Sequence, residues 1–224
     1  MFFRKKGKQS YSQCGEDLLI QFIFKTMKRS DLRYLDIGAH DPVKFNNTFG
    51  LYRAGHRGVC IEPNPELSRR FKSIRRGDTC LNIGIGETRE SAMDFYVMSR
   101  TTLSTFSKEE AERVASFGKN KIEKVVSVPV EPIREILDKH FQSPPDFVSI
   151  DVEGMDEVVL NGFDFDQCRP TVFCIETLTF TEDNQEQKQE HIIERLKSCG
   201  YMVYADTYIN TIFVDRDRWR QRPT

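Results

Sequence analysis

The chain has 224 residues, and 33 Lys+Arg against 34 Asp+Glu leave a formal net charge of −1. Apolar residues make up 38% and charged residues 30%, which suits one α/β domain large enough to bury its own core without a disulfide or metal staple. The near-neutral balance gives no general field to attract nucleic acid or acidic membrane, and no run reaches the ~18 apolar residues of a spanning helix.

Residues 1–9 are basic but have no apolar stretch behind them, so they read as a basic tip and not as a secretory signal. A contact of Phe2 and Phe3 with an anionic membrane is the lesser reading. A helix over 16–27 follows, with Leu18, Leu19, Phe22, Ile23 and Met27 on one side and a capping pattern in Ser12-Gln13 and Glu16-Asp17. Short apolar runs then alternate with helical patterns. Strands are predicted at 33–37, 58–61, 80–83, 147–150, 171–175, 201–204 and 211–214. Helices are predicted at 48–54, 65–74, 132–140, 156–160 and 186–199, the last stopped by Gly200. The segment 94–130 breaks the alternation with a strand, a polar helix and another strand, and reads as an insertion over the ligand edge within a single 1–224 domain. The late run from Asp215 to Arg222 reads as an exposed tail, with a dimer or anionic-glycan contact as the alternative. Cys14, Cys60, Cys80, Cys168, Cys174 and Cys199 form no C-x-x-C pair and read as reduced thiols, which points to the cytosol.

Alternating strands and helices imply a doubly wound, mostly parallel sheet of about seven strands. The last two strands are too close for a crossover helix and must pair as an antiparallel hairpin. That finish is the layout of the class I methyltransferase fold, a Rossmann-like α/β architecture.

Ligands of such sheets bind beyond the carboxyl ends of the strands. The first predicted strand ends in Asp36, Gly38, Ala39 and His40; Asp36 can hold a cation or water, and Gly38 allows close backbone approach. The second ends in Glu62 and Pro63, where an acid can take both hydroxyls of a ribose. Asn82, within the third, is a further candidate for cofactor contact. A dinucleotide site wants G-x-G-x-x-G, whereas here His40 and Asp41-Pro42 stand in the glycine positions. An acidic Asp41 repels a pyrophosphate but not a sulfonium, which favours S-adenosylmethionine over NAD.

The ordered set of motifs resembles the FkbM-type S-adenosylmethionine-dependent methyltransferases. The pieces are Ser12-Gln-Cys-Gly-Glu-Asp17, Leu35-Asp-Ile-Gly-Ala39 with Asn47-Thr48, Gly58-Val-Cys-Ile-Glu-Pro-Asn-Pro65 and Leu103-Ser-Thr-Phe106. They continue with Asp146-Phe-Val-Ser-Ile-Asp-Val-Glu-Gly154, Val159-Leu-Asn-Gly-Phe-Asp164, Ile175-Glu176 and Asn210-Thr-Ile-Phe213. The resemblance implies the class I fold, S-adenosylmethionine as cofactor, and methylation of a hydroxyl on a sugar, glycan or other natural product. The turn His40-Asp41-Pro42 departs from the Asn-x-Gly that many members carry.

O-methylation needs a group to take the acceptor's proton. Asp151, Glu153 and Glu176 follow the fourth and fifth strands and are the candidate catalytic acids; Asp151 is also a cofactor-contact candidate. An N-terminal helix-dipole role competes for Glu153, and a turn hydrogen bond competes with catalysis for His40. A divalent cation such as Mg²⁺ between Asp151, Glu153 and Glu176 is a second possibility. The rival functions are an NAD-dependent sugar oxidoreductase and a non-catalytic partner-binding member. The expected partner is a small-molecule or glycan acceptor, with homodimerisation left open.

Overall fold

The computed structural model describes residues 7–152, 155–181 and 185–224. In chain order the elements are α1 (Glu16–Thr26), β1 (Arg33–Ile37), α2 (Phe49–Arg53), β2 (Arg57–Ile61), α3 (Pro65–Ile74), β3 (Thr79–Leu81), β4 (Gly84–Gly86) and β5 (Glu90–Met98). A 3₁₀ turn (Thr101–Leu103) follows, then α4 (Lys108–Ser116), β6 (Ile122–Pro132), α5 (Ile133–His140), β7 (Phe147–Ile150), α6 (Asp156–Asn161), β8 (Val172–Glu176), α7 (Glu190–Ser198), β9 (Tyr201–Asp206), β10 (Asn210–Asp215) and α8 (Arg216–Arg220).

Seven strands form one sheet in the order β3-β2-β1-β7-β8-β10-β9. β1 lies between β2 and β7, parallel to both, and β8 continues parallel beyond β7, the central strand. β10 runs antiparallel to both β8 and β9. The chain therefore leaves β1, β2, β7 and β8 at one common edge, the position where such sheets bind ligands.

Alternation of side chains along each strand divides the core in two. Tyr34, Cys60, Phe147 and Cys174 face Ile20, Phe24, Leu51 and Phe71 of α1, α2 and α3. The intervening Leu35, Val59, Val148 and Phe173 face Ile136, Leu160, Ile192 and Leu196 of α5, α6 and α7. Both faces are covered, as the near-continuous apolar runs of these strands require.

Three segments differ from the sequence expectations. Residues 84–132 build a second sheet, β4-β6-β5, around the predicted insertion. Its strand β4 went unread because two of its three residues are glycine, yet a Cβ on Gly84 would stand 2.3 Å from the Phe106 ring. Helix α7 starts at Glu190 and not at 186, because Thr179 and Gln187 exchange hydrogen bonds ahead of it. The late arginine run is helix α8, capped by Asp215, whose Oδ1 accepts from the N–H of Arg218 at 2.8 Å. Asp215 also pairs with Arg169 at 2.5 Å, and Trp219 meets Tyr204 edge-on at 5.1 Å. All six cysteines are free, with Cys14 exposed and Cys60 and Cys174 buried. Among the described residues no helix is long and apolar enough to cross a membrane.

Candidate active site

A cavity of about 310 Å³ opens at the common strand edge. Its walls include Gly38 and His40 after β1, Glu62 and Pro63 after β2, Asp151 after β7 and Glu176 at the end of β8. The insertion contributes a roof from Arg100 to Phe106, and Gln13 closes the side nearest the amino-terminal segment.

The turn after β1 is built for close approach. Gly38 has φ 77°, and a Cβ there would lie 1.8 Å from the Asp151 carbonyl oxygen. The N–H groups of Gly38 and Ala39 both donate to the Ile61 carbonyl at 3.0 Å, locking β1's exit to β2. Ala39 is buried and its carbonyl accepts from Asn46 Nδ2 at 3.0 Å.

Glu62 is 4% exposed. Its Oε2 accepts from the His40 N–H and its Oε1 from the Asn64 N–H, both at 2.7 Å. Burial pushes its carboxyl up to about 7, against the pull of those amides. Asn82 donates to the carbonyls of Glu62 (2.9 Å) and Pro63 (2.7 Å), so it fixes the backbone behind the acid and is not among the cavity-lining residues. Asp36 also lies off the wall. It sits beneath it, accepting from Thr48 Oγ1 at 2.6 Å and Asn46 Nδ2 at 3.2 Å. Burial raises its pKa while the Arg75 charge opposes the rise.

Asp151 and Glu176 meet through a side-chain hydrogen bond across the ends of adjacent strands. Burial, followed by the charge of Asp156, raises the Asp151 carboxyl well above the ordinary carboxylate range. A hydrogen bond between two carboxyls needs a proton on one of them, and the raised Asp151 carboxyl is the group disposed to keep it. Glu153 lies outside the described residues, and so does any contact it makes. Among the described residues no group of three His, Cys, Asp or Glu side chains is arranged to hold a metal ion.

His40 has φ 49°, and its Nε2 is 2.9 Å from Thr101 Oγ1 in the roof. Its Nδ1 is buried without a partner among the described residues, and burial lowers the imidazole pKa. Asp41 does not reach the wall. Its Oδ1 accepts from the N–H groups of Val43 and Lys44 at 2.9 Å, and its Oδ2 pairs with Arg70 at 2.7 Å. The charge argument built on Asp41 therefore fails, since that charge is already matched by Arg70 of α3 and by amides of its own loop.

Several contributors escaped the sequence reading. Arg75, 1% exposed, donates to Asp78 (2.8 Å), Asn46 Oδ1 (3.1 Å), Tyr34 Oη (3.0 Å) and Thr48 Oγ1 (2.9 Å). In sequence it is one of two adjacent arginines before a glycine, with nothing to mark it as buried. Phe45, Ile85 and Phe180 line the cavity as scattered aromatic and apolar residues that carry no spacing signal, whereas Phe106, also in the lining, belongs to the Leu103–Phe106 motif. The amino-terminal motif does reach the site. Glu16 is buried and accepts from Thr207 Oγ1 (2.6 Å), Asn210 Nδ2 (3.1 Å) and the Cys14 N–H (2.8 Å), which holds Gln13 in the wall.

An open sheet of this order, with its next-to-edge strand reversed and a carboxylate-rich cavity at the carboxyl edge, defines a class I methyltransferase fold. The family model for the FkbM methyltransferase domain matches residues 36–203. The chain belongs to that family and is with it an S-adenosylmethionine-dependent methyltransferase. No curated protein matches the chain. Among solved structures, it is similar to a precorrin-6y C5,15-methyltransferase from Geobacter metallireducens GS-15, with 15% identity over 94% of this chain and 93% of that one and a TM-score of 0.43. A TehB-like SAM-dependent methyltransferase from Corynebacterium glutamicum aligns at 11% identity over 93% and 90%, with a TM-score of 0.46. An O-methyltransferase from Bacillus cereus, solved in complex with SAH, aligns at 12% identity over 92% and 82%, with a TM-score of 0.45.

The cavity suits S-adenosylmethionine on chemical grounds. An acid stands after β2, a glycine turn adjoins it, and the wall carries more carboxylates than cations. That excess favours a sulfonium and an ammonium over a pyrophosphate.

Proposed function

We propose that this chain transfers a methyl group to a hydroxyl of a sugar, glycan or other hydroxylated natural product. The observation that carries the reading is the Asp151–Glu176 pair, two hydrogen-bonded carboxyls in the wall of the cavity that Glu62 also borders. S-adenosylmethionine, when bound, supplies an electrophilic methyl group. Glu62, with both oxygens oriented by backbone amides, accepts hydrogen bonds from ribose hydroxyls. The Asp151–Glu176 pair, once it has lost the proton of that hydrogen bond, accepts the proton of the acceptor hydroxyl. Such a base contributes typically 10²–10⁴-fold. The hydroxyls of Thr101, Thr102 and Ser104 border the same cavity and suit a polar acceptor.

Titration calorimetry with S-adenosylhomocysteine tests the cofactor half. The wild type binds, and Glu62→Gln binds at least about tenfold more weakly, a loss of about 1.4 kcal/mol. Asp151→Asn with Glu176→Gln keeps the cofactor bound and abolishes methyl transfer from labelled S-adenosylmethionine to a mixed glycan hydrolysate. A wild type that binds neither form of the cofactor, or a double variant that still transfers at the wild-type rate, defeats the proposal.

A further inference from the structure

The loop from β1 to α2 carries one residue that the chemistry above leaves unused. Phe45 has φ 52° and is 61% exposed on the cavity wall. A left-handed backbone is unfavourable for a bulky side chain, and glycine or asparagine would adopt it at lower cost. An exposed ring also gains little from burial. Local folding therefore gives no reason for a phenylalanine here.

The surrounding bonds nevertheless force the conformation. On one side, Asp41 holds the N–H groups of Val43 and Lys44. On the other, the Asn46 N–H donates to the Tyr11 carbonyl at 3.0 Å, and its side chain bonds Asp36 and the Ala39 carbonyl. Asn46 Oδ1 accepts in turn from the N–H groups of Thr48 (3.0 Å) and Phe49 (2.8 Å). Phe45 is the apex between two fixed turns. Strain held in place by the whole surrounding network is a mark of a ligand-facing position.

Its place in the fold selects the ligand. The Asn46–Tyr11 bond ties this loop to the segment carrying Gln13, and Glu16 fastens that segment to Asn210 at the start of β10. Glu62 stands after β2, on the other side of β1, and the cavity is also lined by Ile85 of the second sheet and by Phe106 of the roof segment before α4. Asp151 and Glu176 follow β7 and β8, between those two ends.

We propose that Phe45 is an acceptor-binding residue whose ring is a stacking face for a ring of the acceptor. The proposal rests on the methyltransferase reading and adds to it the residue that grips the acceptor. A pyranose offers an apolar C–H face to such a platform and a hydroxyl edge to Thr101, Thr102 and Ser104.

Saturation-transfer NMR on protein saturated with S-adenosylhomocysteine tests this. The probes are methyl α-D-mannopyranoside, methyl β-D-glucopyranoside and methyl α-L-rhamnopyranoside. The wild type is expected to pass saturation to the ring protons of at least one of them, and Phe45→Trp to do the same. Phe45→Ala is expected to bind that glycoside roughly three- to tenfold more weakly, with S-adenosylhomocysteine affinity and thermal midpoint unchanged. No transfer from the wild type to any of the three, or transfer undiminished in Phe45→Ala, overturns the assignment. A loss of S-adenosylhomocysteine affinity in Phe45→Ala also overturns it, because the ring would then serve the cofactor. Failure of the underlying methyltransferase reading shows separately, as a wild type that does not bind S-adenosylhomocysteine at all.

Discussion

Replacing Arg75 by methionine removes a buried cation and leaves its partners in place. Asp78 loses its ion pair, in which neither side chain has any exposed surface. Asn46 Oδ1, Tyr34 Oη and Thr48 Oγ1 each lose a donor, and the nearby Asp36 loses the charge that opposes its desolvation. Breaking a buried pair from one side costs about 3–5 kcal/mol. The three accompanying guanidinium hydrogen bonds belong to the same buried network, and losing them with the pair places Arg75→Met at the upper end of that range. At roughly 2–4 °C per kcal/mol for a chain of this size, the thermal midpoint falls by about 8–20 °C. The sign of the pH dependence follows from Asp36. Its folded pKa is raised, so its contribution is fully present below its unfolded pKa and is lost as pH rises through the folded one. Removing Arg75 raises that pKa further, so the deficit of the variant is larger at pH 8 than at pH 5. Urea unfolding of both proteins at the two pH values measures it. A deficit under about 1 kcal/mol, or one that grows on acidification, refutes the account of Arg75 as the counter-charge beneath the site.

Gly38→Ala places a Cβ against the Asp151 carbonyl at a positive φ; we expect loss of S-adenosylhomocysteine binding and a lowered thermal midpoint, both read in one thermal-shift titration. Methyl transfer at saturating acceptor rises with pH through neutrality, because the raised Asp151 carboxyl must release its proton before the pair can accept another; a rate flat from pH 6 to pH 8 contradicts this. Asp215→Ala removes the cap of α8 and the partner of Arg169 and lowers stability by about 2–4 kcal/mol in urea titration, while S-adenosylhomocysteine affinity is unchanged because α8 lies away from the cavity.

Much of the frame was legible from periodicity. The strand at 147–150 and the helix at 65–74 carry apolar residues at the right period and clear stops: Asn64 caps the helix and Pro65 starts it. The antiparallel finish followed from chain length alone, because six residues cannot cross a sheet. The strand-end acids Glu62, Asp151 and Glu176 were legible because parallel strands deliver their carboxyl ends to one edge. Other roles were not. Asp36 has the composition of a ligand contact, yet it serves the floor because Asn46 and Thr48 of the loop before α2 and Arg75 at the end of α3 converge on it. Asp41 looks like a free charge in sequence and is neutralised by Arg70, 29 positions away. Local pattern records which residues share an element, whereas these roles depend on which elements become neighbours.

The bond between Glu16 and Asn210 spans 194 positions of chain. A contact of such sequence separation forms late, since the loop it closes is nearly the whole molecule. During synthesis the α1 segment emerges first, and Glu16 has no Asn210 to bond until β10 has been made. The Gln13 wall of the cavity is therefore completed by the last strand of the sheet. A nascent chain interrupted before residue 210 has its glycine turn and its strand-end acids, but no closed site.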